Sequence, residues 1–321
     1  MTMKLNNDLE ILIKTDKLSY SDELFGIKKR VKVRHFSKKT QLVPEIDKSY
    51  IFDETTTLSI LAGFNYNKRV LIQGLHGTGK STHIEQIAAR LNWPCLRINL
   101  DGHISRFDLL GKDAITIKDQ KQVTTFKQGM LPWSIENPVA LVFDEYDAGR
   151  PDVMFVIQRL LESDGKLTLL DQNKVITPHP LFRIFGTCNT LGTGDMSGLY
   201  HGTQNLNQGQ LDRWNIFTTL DFMNSETEVN IIKNKLGKTT KKIKDEINSM
   251  VKLANLVRKS FSNNDISTII SPRTSIIWAQ NIEIFDNTEL AFKLTFFNKC
   301  NESDKKVISE LYQRCFGKEL D

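Results

Sequence analysis

The chain has 321 residues, of which 40% are hydrophobic and 25% are charged, and its formal net charge is +5. This length suits a core domain plus one smaller domain. No run of about 18 apolar residues occurs, which excludes a membrane-spanning helix, and residues 1–10 lack the apolar stretch of a secretory signal. The four cysteines form no C-x-x-C pair. The sequence therefore predicts reduced thiols and a cytoplasmic location.

Much of the positive charge lies in two segments, residues 28–39 and residues 233–244. Aromatic residues do not interleave regularly with these charges, as they do in grooves that bind single-stranded nucleic acid. We therefore interpret both segments as solvated faces, and nucleic-acid binding is the less favoured alternative.

Composition and periodicity divide the chain into three parts. Residues 1–48 form a basic N-terminal lead-in, residues 49–222 alternate between strands and helices, and residues 223–321 have helical periodicity. The alternation predicts an α/β domain with three αβα layers and a mainly parallel sheet, followed by an all-helical lid domain. The predicted strands of this sheet are residues 69–72, 95–100, 139–143, 181–186 and 216–220.

Two pairs of short alternating segments interrupt this pattern. Residues 115–117 and 122–124 flank one polar turn, and residues 167–169 and 174–176 flank another. Both pairs predict β-hairpins inserted between core elements. The residues leave open whether these hairpins are decorated loops or moving parts that project toward a partner.

A phosphate-binding motif follows the first predicted strand. Residues 74–81 match G-x-x-x-x-G-K-[ST] in full and precede an amphipathic helix, which is the context that the motif requires. Glycines let backbone N–H groups surround phosphates, while Lys80 neutralises charge and the Ser81 hydroxyl binds Mg²⁺. The predicted ATP-binding residues are Gly74, Leu75, His76, Gly77, Thr78, Gly79, Lys80, Ser81 and Thr82.

Two carboxylates directly follow the apolar strand 139–143. Asp144 is predicted to bind Mg²⁺ with Ser81, and Glu145 is predicted to polarise the attacking water as a general base. Taken alone, the pair could be charges at a helix N-terminus. Its combination with the phosphate-binding motif favours the catalytic interpretation.

Three further polar residues are candidates for catalysis. Asn189 follows the fourth predicted strand, where it could orient water or be an ordinary turn residue. Arg213 precedes the fifth strand, and Arg273 opens a helix after Ser271 and Pro272. A cation at a helix start opposes the helix dipole, so Arg273 is predicted to have an anionic partner. Without a family comparison, phosphate binding by either arginine stays open.

The histidines and cysteines are dispersed, with no H-x-x-x-H spacing and no Cys/His cluster that would predict a metal site. Mg²⁺ is therefore the one resident metal that the sequence predicts.

The order of the motifs, hairpins and arginines along the chain resembles that of AAA+ ATPases. The hairpins are similar to those of the clade that contains magnesium chelatase and the MoxR-type chaperones. Over residues 40–320 the chain is most similar to the CobS-type ATPase subunit family of aerobic cobaltochelatase. The sequence of residues 192–196 differs from the one that is usual in this family. The stretches that carry the resemblance are residues 75–86, 126–133, 143–159, 198–203 and 207–210.

The resemblance implies a homo-oligomeric ring, commonly a hexamer, that drives insertion of Co²⁺ into hydrogenobyrinic acid a,c-diamide in aerobic cobalamin biosynthesis. It implies a large tetrapyrrole-binding partner subunit and a von Willebrand A-type partner subunit. Lys80, Ser81, Asp144, Glu145 and Asn189 would serve ATP within one subunit. Arg213 would be a finger reaching the neighbour's ATP, and Arg273 a sensor on the lid. The alternatives are a MoxR-like chaperone acting on another metalloprotein or von Willebrand A-type partner and, less favoured, a nucleic-acid motor.

Overall fold

The computed structural model describes most of the chain, which divides into two compact units. The described residues are 16–118, 121–190, 202–236 and 241–320. The first unit comprises the described residues up to 47, residues 52–74 and residues 80–220. The second comprises residues 48–51, 75–79 and those from 221 onward. The three-part division with boundaries at 48/49 and 222/223 stays a prediction.

Strands and helices are interspersed as far as residue 219, and the described residues after it form helices but no strands. The strands are β1 (Asp16–Tyr20), β2 (Lys32–Phe36), β3 (Val70–Gln73), β4 (Cys95–Asn99), β5 (Gly111–Lys118), β6 (Lys121–Gln128), β7 (Ala140–Asp144), β8 (Leu167–Leu169), β9 (Lys174–Ile176), β10 (Arg183–Cys188) and β11 (Ile216–Thr219). The helices are α1 (Ser21–Phe25), α2 (Glu54–Tyr66), α3 (Lys80–Arg90), α4 (Arg106–Leu110), α5 (Met130–Ile135), α6 (Pro151–Leu161), α7 (Gln208–Leu211), α8 (Ser225–Lys235), α9 (Lys241–Ser262), α10 (Pro272–Phe285), α11 (Thr288–Thr295) and α12 (Glu302–Phe316).

The first unit is built on a five-stranded sheet with the order β11-β3-β10-β7-β4, and all neighbouring strands are parallel. Successive residues of a strand point to opposite faces of the sheet. Val70 and Ile72 accordingly join one buried apolar cluster, whereas Leu71 joins another on the opposite face. A sheet with an apolar layer on each face is the predicted three-layer α/β architecture, which is confirmed.

The described part of the basic N-terminal segment packs onto the first unit. β1 and β2 pair as antiparallel strands, and Val33 and Phe36 of β2 are fully buried. The Phe36 ring lies 4.9 Å from the ring of Trp93. Arg34 and His35 between these apolar positions, and Lys32 before them, hide the strand from sequence analysis, which interpreted the segment only as a basic lead-in.

Both inserted hairpins are confirmed. β5 pairs antiparallel with β6, and β8 pairs antiparallel with β9. The first hairpin is longer than predicted, since its ladder extends from Lys118↔Lys121 down to Gly111↔Gln128. Its side chains Ile115 and Ile117 are 72% and 77% exposed, so the hairpin stands out from the unit that carries it.

The C-terminal part of the second unit contains α8–α12 around an apolar core of its own. The ring of Phe292 lies 4.7 Å from Trp278 and 5.1 Å from Tyr312. A buried ion pair joins α8 to α9, since Arg258 donates to both carboxylate oxygens of Glu228 at 2.7 and 2.8 Å. Within the described residues, no helix is both long enough and apolar enough to cross a membrane.

His83 makes the stability of the first unit depend on pH. The imidazole is buried on α3, its Nε2 lies 2.9 Å from the hydroxyl of Thr57, and the Phe52 ring packs edge-on against it at 5.3 Å. Burial lowers the His83 pKa from 6.5 to about 4. The folded protein therefore favours the neutral ring. The stability that the neutral ring contributes is fully present above pH 6.5 and is lost as the pH falls toward 4.

We expect the free energy of unfolding to fall by about 2 kcal/mol between neutral pH and pH 5 on account of His83 alone. His83→Gln should remove that part of the pH dependence in denaturant titrations at the two pH values. His103→Gln, which changes an exposed histidine, is the matched control. An unchanged pH dependence in His83→Gln would contradict this assignment.

Candidate active site

The phosphate-binding motif connects β3 to α3, as its sequence predicts. Gly77 and Gly79 adopt φ values of +75° and +95°, which residues with a Cβ rarely adopt. The Thr78 hydroxyl donates to the carbonyl of Leu75 at 2.9 Å, which tightens the turn. The middle of the motif, residues 75–79, groups with the second unit. A Cβ at Gly77 would lie 2.5 Å from that of Ser271, so the motif requires glycine there for packing as well.

Lys80 begins α3 and is 7% exposed. Its ammonium donates to the carbonyl of Gly74 at 2.6 Å and to the side-chain oxygen of Asn189 at 2.9 Å. Burial lowers the Lys80 pKa, while Asp144 and other neighbouring acids oppose that shift. The structure thus brings together two residues that the sequence assigned separately to ATP, at the carboxyl ends of β3 and β10.

Asp144 ends β7 and is 4% exposed. Its Oδ1 accepts from the Ser81 hydroxyl at 2.6 Å and from the Thr187 hydroxyl. Its Oδ2 forms an ion pair with Arg97 of β4. The predicted Mg²⁺ ligands Ser81 and Asp144 are therefore adjacent, and their hard oxygen atoms suit Mg²⁺.

Glu145 follows Asp144 in a left-handed conformation, with φ 55° and ψ 47°. For a residue other than glycine this is an uncommon conformation that costs on the order of 1 kcal/mol. Its amide donates to the Thr187 hydroxyl at 3.2 Å, and its side chain remains exposed. Partial burial of the carboxylate and the charges of Asp144 and Asp147 raise the Glu145 pKa. A carboxylate with a raised pKa is a stronger base, as a general base requires.

Asn189 is positioned through its backbone by Asp147, which is fully buried. One carboxylate oxygen of Asp147 accepts from the amide of Asn189 at 3.0 Å and from the amide and hydroxyl of Thr190 at 2.8 and 2.9 Å. The Asn189 side chain is thereby directed to Lys80. The water-orienting role of Asn189 stays a prediction.

Arg213 lies outside the cluster of Lys80, Ser81, Asp144 and Asn189. Its guanidinium donates to the carbonyl of Gly209 and lies 3.4 Å from a carboxylate oxygen of Glu162. It borders a cavity of about 320 Å³ that is lined by α6, α7 and residues 204–207.

Arg273 belongs to the second unit, where α10 begins as predicted. The Ser271 hydroxyl caps the helix by accepting from the amide of Thr274 at 3.2 Å, and Pro272 occupies the first turn. Arg273 is exposed, and no ion pair forms at it within the described ranges. Its anionic partner stays a prediction. Its Cβ lies 3.8 Å from the position that a Cβ at Gly77 would occupy.

Sequence analysis missed three residues of the site: Arg97, Thr187 and Asp147. Thr187 and Asp147 occur in stretches that were recognised, but only the register of β7 and β10 shows what they contact. Arg97 gave no signal beyond a charged residue in an apolar strand. The variant loop 192–196 and the family stretch 198–201 lie outside the described residues. Where the structure is described, no group of three or more His, Cys, Asp or Glu residues could hold a metal.

A family model described as an AAA domain (dynein-related subfamily) matches residues 69–202. Midasin of Dictyostelium discoideum is 29% identical over 145 residues, which are 45% of this chain and 2% of midasin. Among solved structures, the Holliday junction branch migration motor RuvB of Thermotoga maritima has a TM-score of 0.46 at 15% identity, covering 85% of this chain and 72% of that one.

The aerobic cobaltochelatase subunit CobS of Sinorhizobium sp. is 57% identical over 314 residues. This alignment covers 98% of the present chain and 95% of that relative. Because the identity is high and extends over nearly all of both proteins, the chain belongs to the CobS family of aerobic cobaltochelatase subunits.

Proposed function

We propose that this chain is the ATP-hydrolysing motor subunit of an aerobic cobaltochelatase. In this role it drives the insertion of Co²⁺, as substrate, into hydrogenobyrinic acid a,c-diamide. The observation that carries the proposal is the 57% identity to CobS over 98% of the chain. The cluster of Lys80, Ser81, Asp144 and Asn189 supports it, because these groups are the ones that bind and hydrolyse a nucleoside triphosphate.

In the proposed reaction, the loop of residues 74–82 surrounds the phosphates of ATP and Lys80 neutralises their terminal charge. Ser81 and Asp144 would hold Mg²⁺, which would supply positive charge at the phosphate oxygens. Glu145 accepts a proton from the attacking water, and Asn189 orients that water. The raised pKa of Glu145 supports its role as the base.

The subunit acts in a ring, which we propose to be a hexamer. Arg213 reaches the ATP of the neighbouring subunit, and Arg273 senses nucleotide from the helical lid. A von Willebrand A-type subunit connects the ring to a large subunit that holds the tetrapyrrole. The complex works in the cytoplasm, an assignment that the four free cysteines support.

Reconstitution tests the proposed function. The chain, combined with the two partner subunits, ATP, Co²⁺ and the tetrapyrrole, should produce the cobalt-containing product, as followed by its absorbance spectrum. Lys80→Ala should support no insertion, because the lost ammonium removes nucleotide affinity while the fold survives. An unchanged affinity of Lys80→Ala for ATP in calorimetry would contradict the assigned loop. ATP hydrolysis without cobalt insertion would favour the MoxR-like alternative.

Replacement of the base should separate binding from turnover. Glu145→Gln should retain ATP binding, because Asp144 and Ser81 remain, and turnover should fall by about 10²–10⁴-fold. Phosphate release and ATP affinity measured side by side test this. Glu319→Gln, which changes an exposed glutamate near the C-terminus, is the control. A loss of less than about tenfold would mean that another residue is the base.

Mixed rings test the arginine finger. Arg213→Ala should bind ATP but lose about 10³–10⁵-fold in hydrolysis. Mixing Arg213→Ala with Glu145→Gln should restore part of the activity, because exchange creates interfaces that have both an intact base and an intact arginine. Arg273→Ala mixed with Glu145→Gln should recover much less, because both residues act at one subunit's own site. Normal hydrolysis by Arg213→Ala in assembled rings would refute the assignment.

A further inference from the structure

The two oxygens of the Asp144 carboxylate have different kinds of partner. Oδ1 accepts from two hydroxyls, those of Ser81 and Thr187. Oδ2 is paired with a full positive charge, the guanidinium of Arg97. A divalent cation that approaches Asp144 would therefore find a guanidinium already at one of the two carboxylate oxygens.

Strand register explains how Arg97 reaches Asp144. Arg97 lies opposite Val142 in the parallel pair of β4 and β7, so Asp144 is two residues further along on the same face. Such diagonal neighbours are within reach of a long side chain. The Arg97 side chain is 43% exposed, whereas that of Asp144 is 6% exposed, so the guanidinium approaches the carboxylate from the solvent side.

Arg97 has a second carboxylate beside it. Its other terminal nitrogen lies 3.9 Å from Glu85 Oε1, on the helix that begins with Lys80 and Ser81. Burial raises the Glu85 pKa, and the charge of Arg97 opposes that shift. A guanidinium with two carboxylates in reach can leave one of them without losing its counter-charge.

We infer that Arg97 competes with Mg²⁺ for Asp144 and moves onto Glu85 when the metal enters. A second cation at the Asp144 carboxylate would be costly, because it and the guanidinium repel each other and the metal would need an oxygen lone pair of its own. Arg97 is thus a positioning residue that neutralises the buried carboxylate and sets the Mg²⁺ concentration at which nucleotide binds. The inference rests on the proposed function, since it concerns the same ATP site.

The test is the Mg²⁺ dependence of ADP binding by the full chain, measured with a fluorescent ADP so that hydrolysis plays no part. Arg97→Gln should lower the Mg²⁺ concentration at half-maximal binding by about fivefold, the effect expected of a half-exposed ion pair. Arg106→Gln, which removes an exposed arginine elsewhere, should shift this midpoint by less than about twofold.

Glu85→Gln should shift the Mg²⁺ midpoint in the opposite direction. Without Glu85, Arg97 should remain on Asp144, so the midpoint should rise by about twofold to fivefold. In the Arg97→Gln background the same substitution should have no effect beyond about twofold, because its action depends on the arginine. A Glu85→Gln shift of equal size in both backgrounds would contradict the competition.

Melting curves with and without Mg²⁺ check that each variant folds. Should Arg97→Gln fail to fold, Arg97→Lys takes its place and should also lower the midpoint, since a single ammonium is a weaker competitor than a planar guanidinium. A midpoint equal to or above that of wild type, in a wild type whose ADP binding requires Mg²⁺, overturns this inference alone. Wild-type ADP binding that is independent of Mg²⁺ overturns the proposed metal site and the inference together.

Discussion

The buried charge of Asp144 is the constraint on which the site depends. β7 is buried along its whole length, and its last residue is a carboxylate that is 4% exposed. An unpaired carboxylate at such a position would cost several kcal/mol, so the neighbouring elements must supply donors. They come from three directions: Ser81 from α3, Thr187 from β10 and Arg97 from β4. One negative charge thereby fixes the helix and two strands around the end of β7.

A second buried carboxylate, Asp147, extends this arrangement to the neighbouring strand. It binds the backbone after β10 and thereby sets the position of Asn189. Between the two buried acids lies Glu145, whose left-handed backbone is fixed on both sides. Its carboxylate is thus the one of the three that remains exposed. Two of the acids are thus held by hydrogen bonds, the third faces solvent, and the charges of the first two contribute to its raised pKa.

Sequence predicted the sheet and the phosphate-binding loop because both are determined locally. An apolar run such as residues 139–143 identifies a buried strand, and the glycine spacing of residues 74–81 identifies the loop. Arg97 and Thr187 could not be predicted, because their partners follow from the register between strands that are distant in sequence. For the same reason the strand β2 was overlooked: its apolar positions are recognisable only once Phe36 is seen against Trp93.

Arg213 and Glu145 serve different ATP molecules in the proposed ring, and one aromatic contact connects them within a subunit. Tyr146 follows Glu145, and its ring packs edge-on against that of Trp214, next to Arg213, at 5.1 Å. Both aromatic residues are buried, and Gly186 beneath them has no room for a Cβ, which would lie 2.7 Å from the Trp214 ring. Close-packed side chains transmit displacements because they leave no space to absorb them. A substitution that displaces Tyr146 would therefore also press on Trp214, the neighbour of Arg213 in the sequence.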